Sequence, residues 1–136
     1  MRILLATDGS PHSMKAVQRG LELAEKEGAQ ITLMSVALFA GDFDELMPNI
    51  REKLEETAAI ALKQAKALFD ERGIRVEAIL EAGTVPANNI IERAESGKFD
   101  RILLGSQGIT GIKRYLIGST AAKVVAHAPC TVTVIR

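Results

Sequence analysis

The chain has 136 residues with 17 basic and 17 acidic side chains, so its formal net charge is zero. This balance, without a basic tract, argues against a nucleic-acid partner, and the length predicts one domain over residues 1–136. The single cysteine, Cys130, excludes an internal disulfide framework, and no neighbouring feature predicts a lowered thiol pKa. Asp8 interrupts the first apolar run, and no run approaches the roughly 18 apolar residues of a membrane span. We therefore expect a cytoplasmic protein with no membrane partner.

Apolar runs alternate with amphipathic segments along the chain. Ser10 can N-cap the first helix, with Pro11 in its first position and Gly28 after its end. The long second helix begins at Pro48 and ends before Gly73. In chain order, the predicted elements are a strand at 3–7, a helix at 11–26, a strand at 31–38, a helix at 48–72, a strand at 74–80, a helix from 86 to about 97, a strand at 101–104, a helix at 120–127 and a strand at 131–135. This alternation predicts crossover connections and a parallel sheet, which is an α/β fold.

Glycines surround the loop that follows the fourth predicted strand. Gly105 ends that strand, Gly108 follows three residues later, and the pair Gly118-Ser119 opens the last helix. Glycine lets the backbone approach a ligand closely, and the free amide groups at a helix N-terminus point at negative charge. We therefore predict a site for a phosphate-bearing ligand. The alternative is that each glycine serves a separate turn or cap.

An acidic residue follows the first predicted strand. In open parallel sheets, ligands bind beyond the carboxyl ends of the strands, where the strand order reverses. If the first and fourth strands are neighbours there, Asp8 lies beside the glycine-bearing loop, and its carboxylate can accept hydrogen bonds from ribose hydroxyls. The alternative is that Asp8 forms a turn with Gly9 or helps to cap the first helix. Both can hold, because a carboxylate has more than one oxygen.

The spacing Gly105-x2-Gly108-x9-Gly118-Ser119 resembles the ATP-binding signature of the universal stress protein family. The stretches ILLATDGSPHSMKAV and HAPCTVTVIR are similar to that family's first strand–turn–helix and last strand, so the resemblance covers essentially the whole chain. It implies a single open five-stranded parallel sheet with helices on both faces and strand order 3-2-1-4-5, an adenine nucleotide alpha hydrolase-like fold. It also implies ATP as the cofactor, with magnesium or manganese as its candidate metal, and a homodimer formed through the strand at 131–135.

The resemblance also implies ligand roles for individual residues. Asp8 is implied to contact the ribose, the backbone of Val36 to meet the adenine, and Gly105 to lie against the ribose and phosphates. The further residues implied to hold phosphates or to line the nucleotide are Ala6, Thr7, Ser106, Gly108, Gly118, Ser119 and Thr120. The chain departs from the usual pattern at Ser35, where many members have histidine, and at Gln107, where a basic or imidazole side chain is common. Neither departure removes a backbone donor.

Several functions are compatible with a nucleotide site in an α/β chain. The sequence has no Walker A pattern, no nucleophile elbow and no base placed to act with Asp8. These absences favour binding over fast turnover, and the family resemblance implies a nucleotide-dependent regulator in stress response, with no catalytic residue assigned. The alternatives are a slow ATP hydrolase, since positioning and a bound metal can suffice, and an interaction module with weak or no nucleotide binding. A nucleotidyl-transfer enzyme and a response-regulator receiver domain fit less well, because their glycine, histidine and aspartate patterns are missing.

Overall fold

The computed structural model of this chain describes residues 1–39, 47, 49–107 and 117–136. The predicted start of the second helix at Pro48 and the signature residue Gly108 lie outside these ranges. The elements are, in chain order, β1 (Arg2–Ala6), α1 (Pro11–Glu27), β2 (Gln30–Leu38), α2 (Ile50–Glu71), β3 (Glu77–Gly83), α3 (Pro86–Ser96), β4 (Arg101–Gly105), α4 (Ser119–His127) and β5 (Thr131–Ile135). The predicted alternation of strands and helices is confirmed.

The strands form one parallel sheet in the order β3-β2-β1-β4-β5, as predicted. β1 is central: Leu5 lies opposite Leu33 of β2 on one side and Leu103 of β4 on the other. The chain adds strands to one side of β1 first and then crosses to the other side. The order therefore reverses between β1 and β4, and this reversal is where open parallel sheets bind ligands.

Helices cover both faces of the sheet, also as predicted. Leu4 and Leu5 are both fully buried although they point to opposite faces, which is expected of a strand covered on both sides. On one face, α1 and α2 pack through Val17, Leu21, Leu62, Ala65 and Phe69. On the other face, α3 and α4 pack through Ala87, Ile90, Ala94, Ala121 and Val124. The sheet therefore lies between two layers of helices that pack on it through apolar side chains. Since both faces are covered, a ligand can bind at the carboxyl edge of the sheet.

The predicted third strand was placed too early in the chain. The sequence prediction was 74–80, whereas β3 spans Glu77–Gly83. The amide of Ile74 donates a hydrogen bond to the carbonyl of Phe69 at 3.0 Å, so Ile74 closes the turn after α2 instead of pairing with β2. Its apolar side chain packs against the core from that turn, which is why the periodicity of the run did not distinguish turn from strand.

Both ends of α1 form as the sequence predicts. The Ser10 side chain accepts a hydrogen bond from the Ser13 amide, and Pro11 occupies the first helical position. At the other end Gly28 adopts φ +69°, the left-handed conformation that favours glycine. Ser10 and Pro11 fix where α1 begins, and Gly28 fixes where it ends. The first turn of α1 lies at the carboxyl edge of the sheet.

Candidate functional site

A cavity of about 580 Å³ opens at the carboxyl ends of β1, β2 and β4. Its volume lies within the range of small-molecule sites. The sequence-predicted residues that line it are Ala6, Thr7, Asp8, Val36, Gly105, Ser106, Gly118, Ser119 and Thr120. Gly108 lies outside the described residues. The structure thus brings together residues from distant parts of the chain at the predicted switch point, while their contacts with a ligand stay predictions.

One end of the cavity is formed by the first turn of α4. Gly118 is the N-cap residue, so Ser119 is the first helical residue and does not cap the helix. The first intrahelical hydrogen bond runs from the Ala122 amide to the Gly118 carbonyl at 2.9 Å. The preceding amides, those of Ser119, Thr120 and Ala121, have no hydrogen-bond acceptor within the described ranges. These three amides and the positive end of the helix dipole are therefore available to an anion in the cavity.

Backbone hydrogen bonds hold both ends of the loop between β4 and α4. The Ser106 amide donates to the carbonyl of Ile135 in β5 at 2.7 Å. The Gly118 amide donates to the Ser106 carbonyl at 2.5 Å. Because the Gly118 amide is already engaged, the donors for a ligand at this point are the amides that follow it.

The packing of α1 against the end of β4 leaves no room for a side chain at Gly105. A Cβ atom built on it would lie 2.5 Å from the carbonyl carbon of His12 and 2.6 Å from the nitrogen of Ser13. Both atoms belong to the backbone of the first turn of α1, which cannot turn aside as the end of a flexible side chain can. Helix α1 therefore approaches Gly105 closely. The same residue also lines the cavity, and the predicted close approach of a ligand to it stays a prediction.

Asp8 lies in the turn between β1 and α1. Its Oδ1 accepts a hydrogen bond from the Ser10 amide at 2.9 Å, which is an Asx-turn. The intervening Gly9 has φ +82°, a conformation that glycine adopts without strain. The turn-forming alternative for Asp8 is thereby confirmed, and its contact with a ribose stays a prediction.

Buried hydroxyl groups beside this turn stabilise it through hydrogen bonds. Thr7 Oγ1 and Ser13 Oγ lie 3.0 Å apart. Ser10 Oγ accepts from the Ser13 amide at 3.3 Å and donates to the Gln107 carbonyl at 3.3 Å, so it joins the turn to the start of the loop after β4. The sequence analysis identified Ser10 only as a helix cap and did not identify Ser13, which also lines the cavity. The spacing of serines at a helix start signals a cap, but it carries no information about a loop 97 positions away.

The opposite end of the cavity is apolar. Its wall is built from Met34, Val36, Leu38, Leu54, Ala58 and Ile90. Of these only Val36 was predicted, because an apolar stripe on a helix is equally typical of a core. β2 and β4 are separated by β1, so the β2 residues of this wall, Met34, Val36 and Leu38, lie about 10 Å from the β4 end of the cavity. The cavity can therefore take a ligand with an apolar ring at one end and an anion at the other.

The lining that the structure describes carries little charge. Among the described lining residues, Asp8 is the one that carries a formal charge. Within the same part of the chain, no group of three or more histidine, cysteine, aspartate or glutamate residues is placed to hold a metal ion.

No helix in the described ranges combines the length and apolar character needed to cross a bilayer.

Comparison with known proteins identifies close relatives in sequence and fold. The chain matches the model of the universal stress protein family over residues 1–136. It is 35% identical to a universal stress protein of Methanocaldococcus jannaschii, with 99% of this chain and 81% of the relative covered. The universal stress protein UspA from Lactobacillus plantarum superposes with a TM-score of 0.87 at 25% identity, covering 100% of this chain and 97% of the other. A universal stress protein in complex with cAMP has a TM-score of 0.75 at 22% identity, covers 100% of this chain and 97% of its own, and shares the fold.

Proposed function

Because the chain belongs to the universal stress protein family, we propose that it is a single-domain, ATP-binding regulator of a cytoplasmic stress response. The observation that carries this proposal is the set of amides of Ser119, Thr120 and Ala121 at one end of a cavity whose other end has an apolar wall. Amides at a helix N-terminus bind phosphate oxygens through their hydrogen-bond donors and the helix dipole. The polyphosphate lies at this end.

The base of the nucleotide lies at the apolar end of the cavity. A purine ring gains free energy from burial against apolar side chains, and Val36 offers its backbone to the polar edge of the ring. Asp8 lies between this wall and the first turn of α4, where it can accept a hydrogen bond from the ribose. The complex of a protein of the same fold with cAMP supports an adenine nucleotide as the class of ligand.

The proposed role is binding without efficient turnover. One carboxylate oxygen of Asp8 is already held by the Ser10 amide, and the lining residues described here include no lysine, arginine or histidine to act as a proton donor or acceptor. A magnesium or manganese ion bound together with the nucleotide would offset the charge of the phosphates. Slow hydrolysis is the second candidate function, since a well-placed water and this metal can suffice.

The protein forms a homodimer through the strand at 131–135. β5 is the outer strand next to β4, so one side of its backbone is free to pair with a second copy. Its valines, Val132 and Val134, are only partly buried although they pack on the core. Sedimentation equilibrium across a concentration series tests this assembly, and a strictly monomeric protein contradicts it.

Substitutions at Gly118 test the nucleotide site. Its φ of −78° strains no residue, so the variants should fold. An aspartate at an N-cap accepts hydrogen bonds from the amides of Thr120 and Ala121, and its charge repels phosphate, so Gly118→Asp should abolish ATP binding. Gly118→Asn competes for the same amides without the charge and should weaken binding less. Gly118→Ala leaves the amides free and should bind as the wild type does.

Isothermal titration calorimetry with ATP and magnesium measures these affinities, and thermal melts confirm that each variant is folded. Unchanged ATP affinity in Gly118→Asp contradicts the assigned site. Phosphate release by the wild-type protein is measured in parallel. Rapid release at saturating ATP favours the hydrolase, and no binding at millimolar ATP favours the interaction module.

A further inference from the structure

Ser35 carries a buried hydroxyl group that has no hydrogen-bond partner in the part of the chain that the structure describes. The residue is 2% exposed and lines the cavity, and its Oγ makes no hydrogen bond within the described residues. Buried polar atoms are nearly always hydrogen-bonded, and an unpaired one lowers the stability of the protein that contains it. We propose that the Ser35 hydroxyl finds its partner on the bound nucleotide and sets the preference for its base. This inference rests on the nucleotide site proposed above.

The position of Ser35 indicates which part of the ligand it meets. It precedes Val36 on β2 and lies opposite Leu80 of β3, so it belongs to the apolar end of the cavity. β1 separates β2 from β4, which puts this strand about 10 Å from the β4 end. The hydroxyl is therefore too far from the α4 amides to serve the same phosphate group, and it discriminates between bases.

A single hydroxyl group beside an apolar wall can recognise a polar group on the edge of a nucleotide base. Serine has one donor and two acceptor positions, so it can pair with a ring nitrogen or with an amino group. Its oxygen is buried without a partner among the described residues, so a nucleotide group that reaches it gains a hydrogen bond that the protein does not otherwise make. A base without the matching group leaves the hydroxyl unpaired, and sites of this kind reject such analogues.

The variant Ser35→Ala gives opposite changes with and without nucleotide. Without nucleotide, its melting temperature should be no lower than that of the wild type, because an unpaired buried hydroxyl has been removed. With ATP, its affinity should fall by about three- to tenfold, the effect of one hydrogen bond. Ser35→Cys, which is similar in size and a weak hydrogen-bonding group, should change affinity in the same direction.

Ligand analogues identify the group that pairs with the hydroxyl. Calorimetry measures the affinity of the wild type and of Ser35→Ala for ATP and for two analogues. 7-Deaza-ATP lacks the ring nitrogen N7, and purine riboside triphosphate lacks the 6-amino group. Comparing the effect of the substitution with and without each ligand group gives the interaction energy between that group and the hydroxyl. For the analogue that lacks the paired group, the two proteins should bind equally. Thr32→Val is the matched control, since Thr32 is buried on the same strand and does not line the cavity. It should bind ATP as the wild type does.

The outcomes separate this inference from the proposed function. If the wild type binds ATP and Ser35→Ala binds it equally well, the role of Ser35 is wrong and the nucleotide site stands. If Ser35→Ala melts well below the wild type without nucleotide, the hydroxyl has a partner inside the protein and the inference is also wrong. If the wild type binds no nucleotide, the proposed function itself is wrong.

Discussion

Replacing Gly105 by alanine tests how the end of β4 is packed against α1. The new Cβ would lie 2.5 Å from the carbonyl carbon of His12, 2.6 Å from the nitrogen of Ser13 and 2.7 Å from the oxygen of His12. Carbon atoms in ordinary contact are about 3.5–4.0 Å apart, so the first turn of α1 must move away from the sheet. That turn carries Ser10, which bonds to the Gln107 carbonyl, and the movement therefore reaches the loop after β4.

The size of the effect follows from the atoms involved. Inserting a methyl group into a packed site costs about 1–3 kcal/mol, and we expect about 2–3 kcal/mol here because the contacts are with backbone. An unfolding entropy of about 2.1 cal/mol/K per residue gives about 0.29 kcal/mol/K for 136 residues. Gly105→Ala should therefore lower the melting temperature by about 7–10 °C. It should also weaken ATP binding, since the site is displaced.

Gly28→Ala is the matched control. A Cβ on Gly28 meets nothing within 4 Å, so this variant carries only the strain of a φ of +69°. That strain costs about 1 kcal/mol, or roughly 3–4 °C in melting temperature, and it should leave ATP affinity unchanged. Thermal melts followed by circular dichroism and calorimetry with ATP measure both quantities. If Gly105→Ala melts no lower than Gly28→Ala, α1 is not seated over β4 as described.

Two further predictions concern the neighbourhood of the cavity and the start of β5. Ser10→Ala removes the cap of α1 and the bond to Gln107, so it should cost about 1 kcal/mol in thermal melts and weaken ATP binding; lost stability with intact affinity would mean that this bond does not position the loop. Burial raises the pKa of the Cys130 thiol, and the Asp100 carboxylate raises it further. Alkylation of folded Cys130 should therefore need higher pH than in the unfolded chain, and equal pH profiles contradict this. The stability from this shift is present below the unfolded-state pKa and is lost as the pH rises through the folded-state pKa.

The sequence predicted the α/β alternation because strands and helices differ in the period of their apolar residues. It failed at β3, where Ile74 packs into the core from a turn, and periodicity records burial but not hydrogen bonding. The strand order came from the family resemblance, since alternation alone does not specify which strands are neighbours. The structure confirms that order.

The sequence predicted the site residues near the glycines because strand ends, turns and helix starts have local sequence signals. The structure brings the described members of this set to one cavity. Ser13 and Ser35 were not identified as site residues, since their importance depends on contacts with distant parts of the chain. The family pattern marked Ser35 as a departure, but it did not show that no described residue pairs with the buried oxygen, because no sequence pattern records a missing partner. Gly105 has two roles, and the approach of α1 to this residue was not foreseen from its spacing.

The central claim is that phosphate oxygens bind the free amides in the first turn of α4. Amide correlation spectra of ¹⁵N-labelled protein, recorded during titration with ATP and magnesium, report on these groups directly. The resonances of Ser119, Thr120 and Ala121 should shift and saturate with the affinity measured by calorimetry, while that of His127 at the other end of α4 should move little. Saturable ATP binding that leaves these three resonances unchanged would place the polyphosphate elsewhere and contradict the account.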